Sequence, residues 1–274
     1  MKAIVQHEYG APQDVLHLAE WRCRPSVRRT CWCRCVYGFG HGAFAEYVAV
    51  PQGSLAPKPG NLSFEQAAAV PLAAVTALQG LRAGGLQPGQ QVLIAGASGG
   101  VGTFAVQIAG HLGAQVTGVC STRNVDLVRR LGAGHVIDYT KHDFTLGAAR
   151  YDLVLQLGGT YSPAAVRKVL TPDGTLIQFS SDGSRWFGPV GNILKAVALN
   201  PLAGQTLKSF TAKVTAQALT EVGDLIESGH ITPVIDRTYP LTEAAAAVRL
   251  VEKGSPAGKV IVMTEPPPPE PPPQ

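Results

Sequence analysis

Along the middle of the chain, short apolar runs alternate with amphipathic stretches at near-regular spacing. The segment Gln91 to Gln107 (QVLIAGASGGVGTFAVQ) opens with Val92, Leu93 and Ile94, a run suited to a strand buried on both faces, and continues into a helical pattern. Further strands are predicted at Gln115 to Cys120, His135 to Asp138, Asp152 to Leu157 and Thr175 to Phe179, with helical patterns such as Ala164 to Leu170 between them. Such alternation predicts an α/β fold built on a doubly wound parallel sheet. Upstream, Ser63 to Gly80 opens with the capping-box spacing of Ser63 and Gln66 and carries Pro71, which should kink or divide a helix. Downstream, Ala216 to Ser228 and Leu241 to Lys253 are predicted helices, and Val234 to Tyr239 and Lys259 to Met263 are predicted strands. The final residues, EPPPPEPPPQ, favour polyproline II and read as a solvated tail, with a ligand for a proline-binding module as the alternative.

Between the first of these strands and its helix lie Gly96, Gly99, Gly100 and Gly102. Glycines there permit positive φ and let the backbone approach a pyrophosphate, while the helix that follows aims free N–H groups at it. The turn therefore reads as a dinucleotide-binding loop, although similar turns also serve packing alone. The second strand ends about twenty residues later, where such sites read the adenosine ribose. No carboxylate stands there. Ser121, Thr122 and Arg123 offer two hydroxyls and a guanidinium, a set suited to a 2′-phosphate, so NADP is favoured over NAD. The alternative role for Ser121 to Asn124 is capping of the helix VDLVRRLGA, and the two roles are compatible. Asp126, the other candidate for a ribose acid, falls in the first helical turn, where a carboxylate suits the helix dipole. Ligands bind beyond the carboxyl ends of such strands, which nominates Ser98 to Val101, Ser121 to Arg123, Tyr139, Leu157 to Gly159 and Ser180 to Gly183. Tyr139 either flanks the adenine or simply closes its strand.

Composition narrows the picture by exclusion. The 274 residues suffice for one large or two ordinary domains, and a net charge of +4 with basic residues scattered except near the N-terminus argues against a nucleic-acid groove. No apolar run reaches membrane-spanning length and the first residues lack a signal-like core, so a cytoplasmic location and no membrane partner are expected.

From Val36 to Met263 the chain resembles the zinc-independent quinone oxidoreductase (zeta-crystallin-like) branch of the medium-chain dehydrogenase/reductase family. The resemblance is carried by HGAFAEYV (His41 to Val48), AAAVPLAAVTALQGL (Ala67 to Leu81), PGQQVLIAGASGGVGTFAVQ (Pro88 to Gln107), CSTRN (Cys120 to Asn124), LGAGHVIDY (Leu131 to Tyr139) and GKVIV (Gly258 to Val262). It departs at Gly110, where members of the branch usually carry a basic residue. The resemblance implies NADPH as cofactor, with Thr76, Ser98, Gly99, Gly100, Val101, Ser121, Arg123 and Tyr139 on cofactor-contacting positions. It also implies hydride transfer to a small-molecule quinone, enone or related carbonyl, with no metal. A homodimer through an edge strand at Lys208 to Lys213 is a further implication.

The family's first domain is a GroES-like β-barrel, and here the resemblance breaks. Met1 to Glu20 matches its opening strands, with a hairpin signal at Tyr9 to Pro12, but Trp21 to Cys35 (WRCRPSVRRTCWCRC) matches nothing, and on the order of sixty residues of the usual barrel are missing. The expected organisation is therefore an incomplete GroES-like domain over residues 1–70 plus 235–264, a nucleotide-binding Rossmann domain over 71–234, and a tail over 265–274. The odd segment holds Cys23, Cys31, Cys33 and Cys35. Their spacing lacks the C-x-x-C pairs that wrap zinc, disulfides are out of place in the cytosol, and a translated wrong frame is the preferred explanation. No catalytic residue is legible. His41 lies near the expected cleft, as a proton donor or as a structural loop histidine. Two other functions stay open: an NADPH-binding protein without turnover, and an inactive product of a damaged gene.

Overall fold

The computed structural model describes residues 2–6, 16–20, 30–31, 36–38, 44–45, 50–179, 204–254 and 256–264. The hairpin signal at Tyr9 to Pro12, most of Trp21 to Cys35, His41, Ser180 to Gly183 and the proline-rich tail lie outside them. In chain order the described strands are β1 (Lys2–Gln6), β2 (Leu16–Glu20), β3 (Thr30–Cys31), β4 (Val36–Gly38), β5 (Val50–Pro51), β6 (Leu55–Pro57), β7 (Gln91–Ala95), β8 (Gln115–Cys120), β9 (His135–Asp138), β10 (Tyr151–Gln156), β11 (Leu170–Phe179), β12 (Thr206–Phe210), β13 (Ile235–Pro240) and β14 (Lys259–Met263). The α-helices are α1 (Phe64–Ala68), α2 (Pro71–Ala83), α3 (Gly102–His111), α4 (Val125–Arg130), α5 (Pro163–Arg167), α6 (Ala216–Glu227) and α7 (Ala244–Glu252).

Six strands form one sheet in the order β12-β11-β10-β7-β8-β9, every neighbouring pair parallel. Counted from β7, this is the 3-2-1-4-5-6 order of a doubly wound dinucleotide fold. The apolar runs explain why. Val92 and Ile94 of β7 and Leu153 and Leu155 of β10 face one hydrophobic cluster, together with Phe104 of α3, Leu81 of α2 and Leu219 of α6. Leu93, Ala95 and Val154 face the opposite cluster with Val166, Val169 and Leu176. A strand covered on both faces needs apolar side chains at every position, which is why these strands read as unbroken runs instead of alternating patterns.

Local signals held where their physics is short-range. Ser63 accepts from the backbone of Gln66 while the Gln66 side chain accepts from the Ser63 backbone, a complete capping box on α1. Pro71 divides the helical stretch and becomes the first residue of α2, where its missing N–H costs nothing. Boundaries moved where tertiary pairing intervened. The helix expected to run to Leu170 stops at Arg167, because Leu170 already pairs with Tyr151 and opens β11. The helix expected from Leu241 begins with a 3₁₀ turn and becomes α-helical at Ala244. The edge strand placed at Lys208 to Lys213 is Thr206–Phe210, at the β12 end of the sheet. Before residue 58, the described strands pair only in twos: β1 with β2, β3 with β5, and β4 with β6.

Candidate functional site

The turn after β7 hooks onto the neighbouring strand. The N–H groups of Gly96 and Ala97 donate to Val119 O of β8 at 3.1 and 3.0 Å, which turns the chain sharply at the carboxyl end of the sheet. Gly96 alone among the four turn glycines has positive φ, at +86°. All four glycines permit positive φ but only Gly96 uses it; Gly102 is needed for space instead. A Cβ on Gly102 would stand 2.1 Å from Gly96 O and 2.8 Å from Ala97 Cα, so only glycine lets α3 start this close to the turn. Gly99 N–H donates to Gly96 O at 3.0 Å, and Thr103 N–H to Gly99 O at 2.9 Å. The N–H groups of Gly100 and Val101 reach no acceptor among the described residues. Together with the start of α3 they form a concave set of donors suited to an anion.

The C-terminal strand closes the turn from outside. Gly258 N–H donates to Ser98 O at 2.8 Å, and Gly258 forms a parallel bridge with Gly99. The Lys259 side chain then lies over Gly100, with its Cδ 2.6 Å and its Nζ 3.4 Å from where a Gly100 Cβ would be. Burial pushes the Lys259 ammonium below its ordinary pKa.

At the end of β8, Ser121 to Asn124 do not cap a helix through their side chains. Neither Ser121 nor Asn124 makes a side-chain capping bond, and residues 122–124 form a 3₁₀ turn leading into α4. Asn124 is buried, and its Nδ2 donates to Ser98 Oγ at 3.0 Å and to Ser121 Oγ at 3.4 Å, tying the glycine turn to the end of β8. Thr122 faces the other way. Its hydroxyl donates to the Asp138 carboxylate at the end of β9 and lies 3.0 Å from Thr140 Oγ1. Asp138 also accepts from Thr140 N–H and Oγ1 and pairs with Lys141. Led by the Thr122 hydrogen bond, these partners hold its carboxyl down to about 2. Of the two hydroxyls expected for a 2′-phosphate, that of Ser121 stays toward the turn and that of Thr122 is committed to Asp138. Asp126 lies in the first turn of α4 and pairs with Arg129, as its helix-dipole reading expects.

Tyr139 is exposed, and its N–H donates to Cys120 O at 3.0 Å, which places it beside the end of β8. Thr76 lies on α2. It is buried and its hydroxyl donates to Leu72 O at 2.6 Å. Leu157 N–H donates to Ala95 O at 3.0 Å, which brings the loop after β10 against Gly96; the Gly158 nitrogen lies 3.1 Å from a Cβ built there. Buried Gln156 holds this loop by donating to Tyr161 O at 3.0 Å. Cys120 ends β8 as a buried free thiol, raised to about 11 chiefly by burial. Sequence reasoning missed Asn124 and Lys259 as parts of the site. Asn124 has the spacing of an N-cap, and Lys259 approaches through a strand more than 150 residues from the turn in sequence. Among the described residues, no three His, Cys, Asp or Glu side chains gather as a metal site would need.

Residues 131–262 match the family model described as a zinc-binding dehydrogenase. The chain is 33% identical over 229 residues to an NADPH-dependent alkenal/one oxidoreductase, chloroplastic, of Arabidopsis thaliana, covering 82% of this chain and 54% of that protein. It is 30% identical over 236 residues to a chloroplast envelope quinone oxidoreductase homolog of the same plant, covering 81% of this chain and 69% of that one. The chain belongs to the quinone oxidoreductase branch of the medium-chain dehydrogenase/reductase family. A solved relative in fold is the Escherichia coli quinone oxidoreductase complexed with NADPH, with TM-score 0.80, 22% identity and coverage of 96% of this chain and 100% of that one. Against four curated relatives this member of the family spans 52 to 61% of their length. No described helix is long and apolar enough to cross a membrane.

Proposed function

We propose that this quinone oxidoreductase-like chain is an NADPH-dependent oxidoreductase that reduces a quinone, an enone or a related carbonyl by hydride transfer. One observation carries the reading: the Gly100 and Val101 N–H groups, unpaired among the described residues, and Ser121 at the end of β8, tied to the turn through Asn124, lie at the carboxyl end of the sheet, and the strand-end carboxylate of Asp138 is occupied by threonine hydroxyls. The residues fit the cofactor. Gly102 leaves room for the turn to approach a diphosphate, and Gly100 and Val101 supply N–H donors toward it. Ser121 donates to the 2′-phosphate and Arg123 matches its charge, while an acid at this position would repel it. Tyr139 flanks the adenine from the end of β9, and Thr76 lines the nicotinamide side from α2.

When bound, the reduced nicotinamide supplies the hydride. The chain's own part is to hold donor and acceptor together and to exclude bulk water. The relatives' printed names speak of alkenal/one and quinone substrates, which sets the substrate class proposed here. A homodimer would pair β12 across the sheet edge. A second reading, an NADPH-binding chain without turnover, is supported by the described strands before residue 58, which pair only in twos. Calorimetric titration with NADPH, followed by a simple quinone and a simple enone with nicotinamide absorbance monitored, separates the two. Binding with oxidation supports the enzyme, and binding without oxidation supports the second reading.

A further inference from the structure

Asn124 has the spacing of a helix cap and does something else. The residue is only 8% exposed, and its amide nitrogen reaches Ser98 Oγ and Ser121 Oγ at 3.0 and 3.4 Å. An amide nitrogen only donates, so each serine oxygen accepts from Asn124 and each hydroxyl proton remains available for a different partner. Neither hydroxyl donates to an acceptor among the described residues. A phosphate oxygen only accepts.

We infer that Asn124 is a positioning residue for phosphate recognition, which fixes Ser98 and Ser121 as hydroxyl donors toward the 2′-phosphate of the dinucleotide. The inference rests on the NADPH reading above and deepens it. With the amide oxygen turned inward instead, the hydroxyl protons would point at Asn124 and serine lone pairs would face the phosphate. The orientation of the Asn124 amide toward the two serine oxygens is the one an anion needs. Asn124 lies between the glycine turn and the end of β8, so one side chain aligns donors from two separate segments.

The test exploits a near-isosteric change. In Asn124→Asp the carboxylate only accepts, so both hydroxyl protons turn toward it and a like charge is added near the phosphate. Calorimetry with 2′,5′-ADP and 5′-AMP, and with NADPH and NADH, reads the result without turnover. Loss of two hydrogen bonds to a charged group predicts that Asn124→Asp weakens 2′,5′-ADP and NADPH by about 100-fold. 5′-AMP and NADH should change by less than about 3-fold. Asn124→Ala, which leaves the hydroxyls free to rotate, should lose about 10-fold of the same selectivity. It takes the place of Asn124→Asp if that variant lacks a cooperative unfolding transition. Equal weakening of phosphorylated and unphosphorylated ligands, or no weakening of either, overturns the inference while leaving NADPH binding intact. A native chain that binds neither dinucleotide overturns the cofactor reading and this inference together.

Discussion

Replacing Gly102 by alanine places a methyl group 2.1 Å from Gly96 O and 2.8 Å from the Ala97 carbonyl carbon and Cα. Side-chain Cβ atoms essentially never approach closer than 3.0 Å, so the start of α3 and the turn must separate by about 0.9 Å. Both contacts are backbone and neither can rotate away. Moving Gly96 O also loosens its bond from Gly99 N–H, which shapes the rest of the turn. Overpacking of this kind costs about 1–3 kcal/mol, and a rigid partner puts Gly102→Ala near the upper end. The better helix propensity of alanine returns up to about 1 kcal/mol, leaving a net loss of about 2 kcal/mol. Gly100→Ala is the internal control. Its methyl meets the Lys259 Cδ at 2.6 Å, the middle of a flexible side chain, and Gly258 O only at 3.4 Å, so its cost should stay below about 1 kcal/mol. Urea unfolding at unchanged m-value measures the stability term, and NADPH titration measures the consequence for the cradle. If the misplaced turn loses a further ~2 kcal/mol of binding, Kd rises about 30-fold. A Gly102→Ala protein within about 0.5 kcal/mol of the native chain that keeps its NADPH affinity, or a Gly100→Ala protein that suffers more, would refute the reasoning.

Three more perturbations probe the same sheet. Cys120, raised to about 11 mainly by burial, should resist alkylation at about pH 8 in the folded chain and react only after denaturation; rapid native-state labelling of that cysteine by site-resolved mass spectrometry would contradict its burial. Asp138, held at about 2 chiefly by the Thr122 hydrogen bond, contributes stability that is present above about pH 4 and lost as pH falls toward 2. The substitution Asp138→Asn should flatten the unfolding midpoint across that window, and an acid slope unchanged from the native chain would show that the threonine contacts do not matter. Arg82 of α2 bonds Glu221 of α6 through its two terminal guanidinium nitrogens, but the two side chains are 55% and 37% exposed, so Arg82→Ala should cost less than about 1 kcal/mol in urea. A larger loss would mean that the pair does more than a solvated surface bridge.

The sheet was legible because its strands are buried on both faces. Val92 to Ile94 and Leu153 to Leu155 cannot alternate apolar with polar when helices cover either side, so their continuity announces a parallel sheet. The capping box at Ser63 and the break at Pro71 depend on neighbours within four residues, and the folded chain keeps both. Readings failed where a partner distant in sequence decides. Leu170 has the pattern of a helix end, yet Tyr151 claims it for β11. Asn124 has the pattern of a cap, yet Ser98, 26 residues earlier, takes its amide. The turn glycines are recognisable for their conformational freedom, whereas Gly102 is required by a carbonyl that only the folded turn brings near. No local pattern reports that kind of proximity. Lys259 is the extreme case, since its place over Gly100 depends on the pairing of Gly258 with Gly99.

The central claim is that the end of β8, read through Ser121 and Arg123, selects the 2′-phosphorylated dinucleotide. Parallel calorimetric titrations of the native chain with NADPH and NADH at fixed ionic strength test it most directly. The account predicts NADPH binding at least about tenfold tighter than NADH, a preference that shrinks in Arg123→Ala. Equal affinity for the two, or a preference for NADH, would contradict it.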